Sequence, residues 1–203
     1  MSAPREGLRR GTRGVQASLG QTILLLSFFT LLWAGFMLFG LLASPLPPAL
    51  PIALAVCLLL PAIWLLRGGL ACLARAKAMP AGEAPSETER RAERRWNLIF
   101  GLQGGAIGLV CTLLGAFRLY AQIGPAVLLI VGLHYIPLGM LYRTKIHGLV
   151  ALPVILIALL GLLSLATGFL SAFAPGVCAL AGGLSTAILG LWVLKTAEGG
   201  ERA

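Results

Sequence analysis

Two features of this 203-residue chain could carry chemistry: His134 in the run GLHYIPLGMLY, and Ser185 in GGLST. An imidazole is the one side chain here whose ordinary titration falls near neutral pH, so it suits proton transfer or hydrogen bonding to a polar ligand. Ser185 invites comparison with the G-x-S-G of serine nucleophiles. Thr186 stands where the final glycine would be, and His134 precedes the serine by two apolar segments, the reverse of the usual order. The four cysteines, Cys57, Cys72, Cys111 and Cys178, form no C-x-x-C pair. They read as small apolar side chains in helix packing rather than metal ligands or disulfides.

What is missing narrows the chemistry further. The chain has no aspartate, and its seven acidic residues are all glutamates outside the apolar segments. Pumps and proton-coupled carriers commonly place a carboxylate, Lys or Arg inside the bilayer. Aspartyl chemistry needs two carboxylates, and intramembrane metalloproteases need His and acidic ligands within the spans. The sequence supplies none of these sets. No cofactor or metal site is expected, and a non-enzymatic role is the leading expectation.

The elements that would position His134 are membrane helices. Of all residues, 58% are hydrophobic and only 11% charged, with a mean hydropathy of +0.92. A soluble domain of this length carries about a quarter charged residues. Uncharged segments predict an all-α bundle of six transmembrane helices, at about 20–43, 49–66, 96–117, 121–141, 148–170 and 175–194. A basic amino-terminal stretch, 1–14, precedes them; a charged loop, 67–95, whose run SETERRAERR can form an amphipathic or charged helix leading into the bilayer, lies between the second and third; a short tail, 196–203, follows. The 29 uncharged residues 15–43 exceed the roughly 7–15 apolar residues of a cleaved signal peptide, so a retained anchor is expected. SPLPP at 44–48 breaks the chain between spans, because proline offers no N–H and constrains its predecessor. Pro61 and Pro137 should kink their helices. Ser86 and Glu89 have capping-box spacing ahead of the third helix.

Charge sets the expected orientation. With both termini cytoplasmic, fifteen of the sixteen Lys and Arg fall on the cytoplasmic side and only Arg118 falls outside. That asymmetry is the positive-inside pattern, and an odd number of spans would destroy it. The net charge of +9 is thus explained by loops facing anionic lipid head groups. No basic stretch is interleaved with stacking aromatics, so nucleic acid is not an expected partner. Tyr120, Tyr142, Trp96 and Trp192 lie near span ends and read as interfacial anchors.

Depth counting brings a few polar residues together. His134 should lie roughly 10–12 Å from the cytoplasmic end of the fourth span, and Gln103 at about the same depth in the third. Antiparallel neighbours would let Gln103 bond His134. Pro137 leaves the Leu133 carbonyl without its helical donor, beside the histidine. Gln103, His134, Tyr135 and Asn97 therefore form a candidate polar pocket. One reading is a small site for a solute, a proton or a lipid head group; the other is a neutral histidine that fixes helix packing. Gly101, Gly104, Gly105 and Gly108 make two overlapping G-x-x-x-G spacings in the third span, with Gly115 extending them, and predict close helix approach. The patch of Gly182, Gly183 and Ser185 in the sixth span is the expected partner, with a homo-oligomer through the third span as the alternative.

The run Gly132-Leu133-His134-Tyr135, with Pro137 and Leu138, resembles a set of small bacterial multi-spanning proteins that carry a G-L-H-[FY]-x-P-L pattern. A weaker similarity covers the preceding helix, around 97–107. The resemblance implies a six-helix fold in a bacterial inner membrane and no assigned activity. Three function classes remain from the sequence: a packing or assembly component, a small-solute transporter or channel built around His134 and Gln103, and an intramembrane enzyme.

Overall fold

A computed structural model describes residues 13–79 and 87–199. Among these the chain forms six α-helices and no strand: α1 Arg13–Leu42, α2 Ala49–Ala78, α3 Glu87–Ala116, α4 Tyr120–Tyr142, α5 Lys145–Thr167 and α6 Ala174–Gly199. Each is long and apolar enough to cross a membrane. The all-α, six-helix expectation therefore holds. The basic stretch before Arg13, the Ser86 cap and the final tail residues lie outside the described residues.

The segment 67–95 differs from a loop. Helix α2 continues for three turns past Leu66 to Ala78, and α3 begins at Glu87, so both carry charged extensions beyond their apolar stretches. Arg, Ala, Leu and Lys in 67–78 favour a helix, and Gly68 and Gly69, which do not, pack against Leu194 and Leu24. The extension of α3 is charged around its exposed face, where Glu87 and Arg91 pair at 3.2 Å. Charge ended the spans in the sequence reading, but charge does not end a helix.

Tight turns join the remaining helices. Arg118 and Arg143 close α3 and α4 in the left-handed conformation, at φ 58° and 52°. The Leu119 and Thr144 N–H groups reach back to the Leu114 and Gly139 carbonyls at 2.8 and 3.1 Å, the hydrogen bond of a Schellman cap. Pro61, Pro125, Pro137 and Pro153 all lie inside helices.

The core centres on α1 and α6. Helix α1 packs chiefly on α2 and α6; α4 packs on α5, α3 and α6; α5 also meets α6; and α3 touches α4 substantially and no other helix to that degree. Met37, Leu58, Leu65, Leu128 and Ile23 are fully enclosed. Around them, large apolar side chains face outward, among them Phe39, Leu102, Met140 and Leu149. Such exposure is untenable in water and ordinary against acyl chains.

In lipid, association depends on contact rather than on expulsion of water, and small residues permit that contact. Gly40 on α1 meets the backbone of Gly176 on α6, where an added Cβ would fall 2.9 Å from the Gly176 nitrogen. Gly182 holds the Trp33 indole, and an added Cβ there would come within 2.5 Å of the ring. The α6 patch of Gly182 and Gly183 is therefore occupied by Trp33 of α1 and Leu58 of α2, not by α3.

Candidate functional site

His134 projects from the buried side of α4, where Val131, Gly132, Tyr135 and Leu138 also face inward. The imidazole meets the Phe100 ring of α3 edge-on, with centroids 4.7 Å apart. Phe100 in turn stacks on Trp96 at 4.2 Å. The histidine is 8% exposed, and neither ring nitrogen has a hydrogen-bond partner.

The expected Gln103–His134 bond is not made. The two antiparallel helices place Phe100, not Gln103, opposite the histidine, which puts Gln103 one turn farther along α3. Depth counting started both helices at the point where charge stops, and α3 has no helical boundary there. Asn97 is exposed and stays on the outer side of α3. Of the four residues of the expected pocket, only His134 and Tyr135 are buried.

Tyr135 belongs to a different polar group. Its hydroxyl lies 3.2 Å from Ser185 Oγ, which donates to the Gly182 carbonyl at 2.8 Å. With the serine hydrogen so engaged, the tyrosine is the donor of the pair. His134 and Ser185 are not hydrogen-bonded, so no nucleophile and base are joined here. Close by, Thr30 and Thr186 meet across α1 and α6 at 2.9 Å, and Ser27 donates to the Ala62 carbonyl of α2 at 2.8 Å. These hydroxyls form the real polar interior. They were visible as span residues in the sequence, but hydroxyls on helices so often bond their own turn that spacing alone could not pair them.

A second aromatic group escaped sequence reasoning. His147, which falls between the spans expected at 121–141 and 148–170, sits buried in the first turn of α5. Its Nδ1 lies 2.6 Å from Thr144 Oγ1, and its ring stacks near Tyr142 and meets Trp192 of α6 edge-on, both at 6.0 Å. Tyr142 and Trp192 thus pack on protein as well as lying near helix ends. The one available signal was the common depth of the three rings at one end of the bundle.

The glycines of α3 behave unlike those of the core. An added Cβ at Gly101, Gly104, Gly105, Gly108 or Gly115 would meet nothing within 4 Å. The apolar stretch of α3 has no buried residue. The expected intrachain partner is therefore absent from this face among the described residues, because α3 leans on α4 through an adjoining arc of its surface, with Trp96, Phe100 and Ile107. Among the described residues no group of three His, Cys or Glu is placed to hold a metal ion.

Fold and site together define a multi-pass, all-helical membrane protein whose apolar core is crossed by a few hydroxyl contacts between helices. No protein-family model, curated protein or solved structure matches the chain.

Proposed function

We propose that this chain is a non-enzymatic assembly component of a membrane, which pairs with a second copy of itself through α3. The observation that carries the reading is the open glycine face of that helix. Elsewhere in the bundle, helical glycines such as Gly20, Gly68, Gly132, Gly161 and Gly182 accept a neighbouring helix. The α3 glycines have the same form and no occupant.

A second copy suits the face because α3 presents both halves of a contact. Gly101, Gly104, Gly105, Gly108 and Gly115 cover an arc of roughly 100°, and Leu98, Leu102, Leu109 and Leu113 form the adjoining ridge. Those leucines are 48–65% exposed. A two-fold axis along the membrane normal would seat the ridge of one copy in the groove of the other at equal depth, the self-complementary arrangement of an isologous dimer.

The proposal puts both termini in the cytoplasm of a bacterial inner membrane, with anionic head groups against the charged helix extensions. It is supported by the distribution of Lys and Arg and by the resemblance at 132–138. Cross-linking in native membranes tests the pairing. Thr112 lies on the glycine face and is exposed. In a cysteine-free background, Thr112→Cys should give a disulfide dimer, and Gly105→Ile added to it should abolish that dimer. A cysteine-free Thr112→Cys chain that stays monomeric under oxidation removes the reading.

A further inference from the structure

The outer surface of α2 carries an open groove of about 550 Å³, and it adjoins a second of about 340 Å³ between Trp64 of α2 and the end of α6. Trp64 lines both, so its indole forms their shared wall. The helices close on each other at Gly68, where an added Cβ would fall 2.6 Å from a Leu194 methyl. Arg67 and Lys195 are the chain neighbours of those two contact residues and rim the first and second groove respectively. Among the described residues neither forms an ion pair. Glu198, a turn beyond Lys195, also rims the second groove and leaves the pair of grooves with one net positive charge.

Depth gives these charges a meaning. Arg67 lies roughly 27 Å along α2 from Ala49, and Lys195 roughly 31 Å along α6 from Ala174, at 1.5 Å per residue. Both distances match the roughly 30 Å hydrocarbon thickness of a bilayer, so both cations reach the head-group level of one leaflet together. Leu60 and Ile63 continue the groove wall toward the membrane interior. An open apolar groove rimmed by two cations and one carboxylate, net positive and flanked by an indole, is complementary to one ligand class.

We infer that the α2–α6 groove is a binding site for an anionic phospholipid, its phosphate held between Arg67 and Lys195 and an acyl chain laid along Leu60, Ile63 and Trp64. The site is independent of pairing through α3.

Native mass spectrometry of the full chain, released from bilayers of equimolar phosphatidylglycerol and phosphatidylcholine, tests it. The wild-type chain should retain phosphatidylglycerol preferentially. Arg67→Gln with Lys195→Gln should lower that retention on the order of thirtyfold, the product of two head-group contacts. Glu198→Gln should raise it by about fivefold, since one repelling carboxylate is removed, and a gain cannot come from misfolding. Arg143→Gln with Lys145→Gln, a cation pair elsewhere on the same end of the bundle, should leave it unchanged. Equal retention of both lipids by the wild type overturns the site. So does an equal loss in the Arg143 and Lys145 control, which would mean surface charge alone. Oxidative cross-linking through exposed Cys57, two turns down the same face as Trp64, would show a second chain in the groove and also overturn it.

Discussion

The imidazole of His134 meets the ring of Phe100 edge-on at 4.7 Å, and both of its nitrogens are left without partners. A polar ring sealed in this way contributes through its shape and not through hydrogen bonds. His134→Leu should therefore be neutral or favourable, with unfolding free energy rising by between zero and about 2 kcal/mol, because an orphaned buried group costs desolvation. Thermal unfolding in detergent measures this. A marked drop in melting temperature would show that the histidine has a polar partner in the intact protein.

Thr30 and Thr186 should couple only weakly. Each hydroxyl has one hydrogen, yet Thr30 also reaches the Leu26 carbonyl at 2.8 Å, and Thr186 the Gly182 and Gly183 carbonyls at 3.1 and 3.0 Å. When one threonine is removed, the other keeps a bond in its own helix. A double-mutant cycle of Thr30→Val and Thr186→Val should return about 0.6 kcal/mol, and less than about 1.7. A larger coupling would mean that the pair works as a unit.

Two glycine substitutions should move stability in opposite directions. Gly182→Ala drives a methyl toward the Trp33 ring, whose nearest atoms are 2.5 Å away, and should cost about 1–3 kcal/mol. Gly105→Ala meets nothing within 4 Å and should gain up to about 1 kcal/mol of helix propensity in the monomer. Unfolding of each variant in detergent, below the concentration at which copies associate, separates fold from assembly. Equal destabilisation by both would show that α3 is packed within the chain.

Orientation is checked by an impermeant thiol reagent on intact cells in a cysteine-free background. Leu46→Cys and Tyr120→Cys should be labelled from outside. Pro85→Cys should react only after the membrane is opened. Labelling at 85 in sealed cells would invert the topology.

The number and order of helices could be read from uncharged runs, because hydrocarbon tolerates so few charges that each span announces itself. Helix ends could not, since Arg67–Ala78 stays helical after charge returns. Depth counting found the correct pair of helices for His134 and missed the register by one turn, enough to exchange Gln103 for Phe100. The glycines of α3 were expected to meet another helix of the chain, but composition cannot say which way a helix faces. Trp96 and Phe100 took the intrachain side, and the glycines were left outside. The Tyr142–His147–Trp192 cluster is spread over three helices and leaves no local pattern.

The dependence of α1 on α6 has a consequence for biosynthesis. When α1 and α2 enter the bilayer as a hairpin, the side of α1 that carries Trp33 and Gly40 has no protein neighbour until α6 emerges from the ribosome. Until then Thr30 has its bond to the Leu26 carbonyl but not its contact with Thr186. The seam at the centre of the bundle is therefore completed only when the sixth helix is made, whatever the speed at which the first five insert.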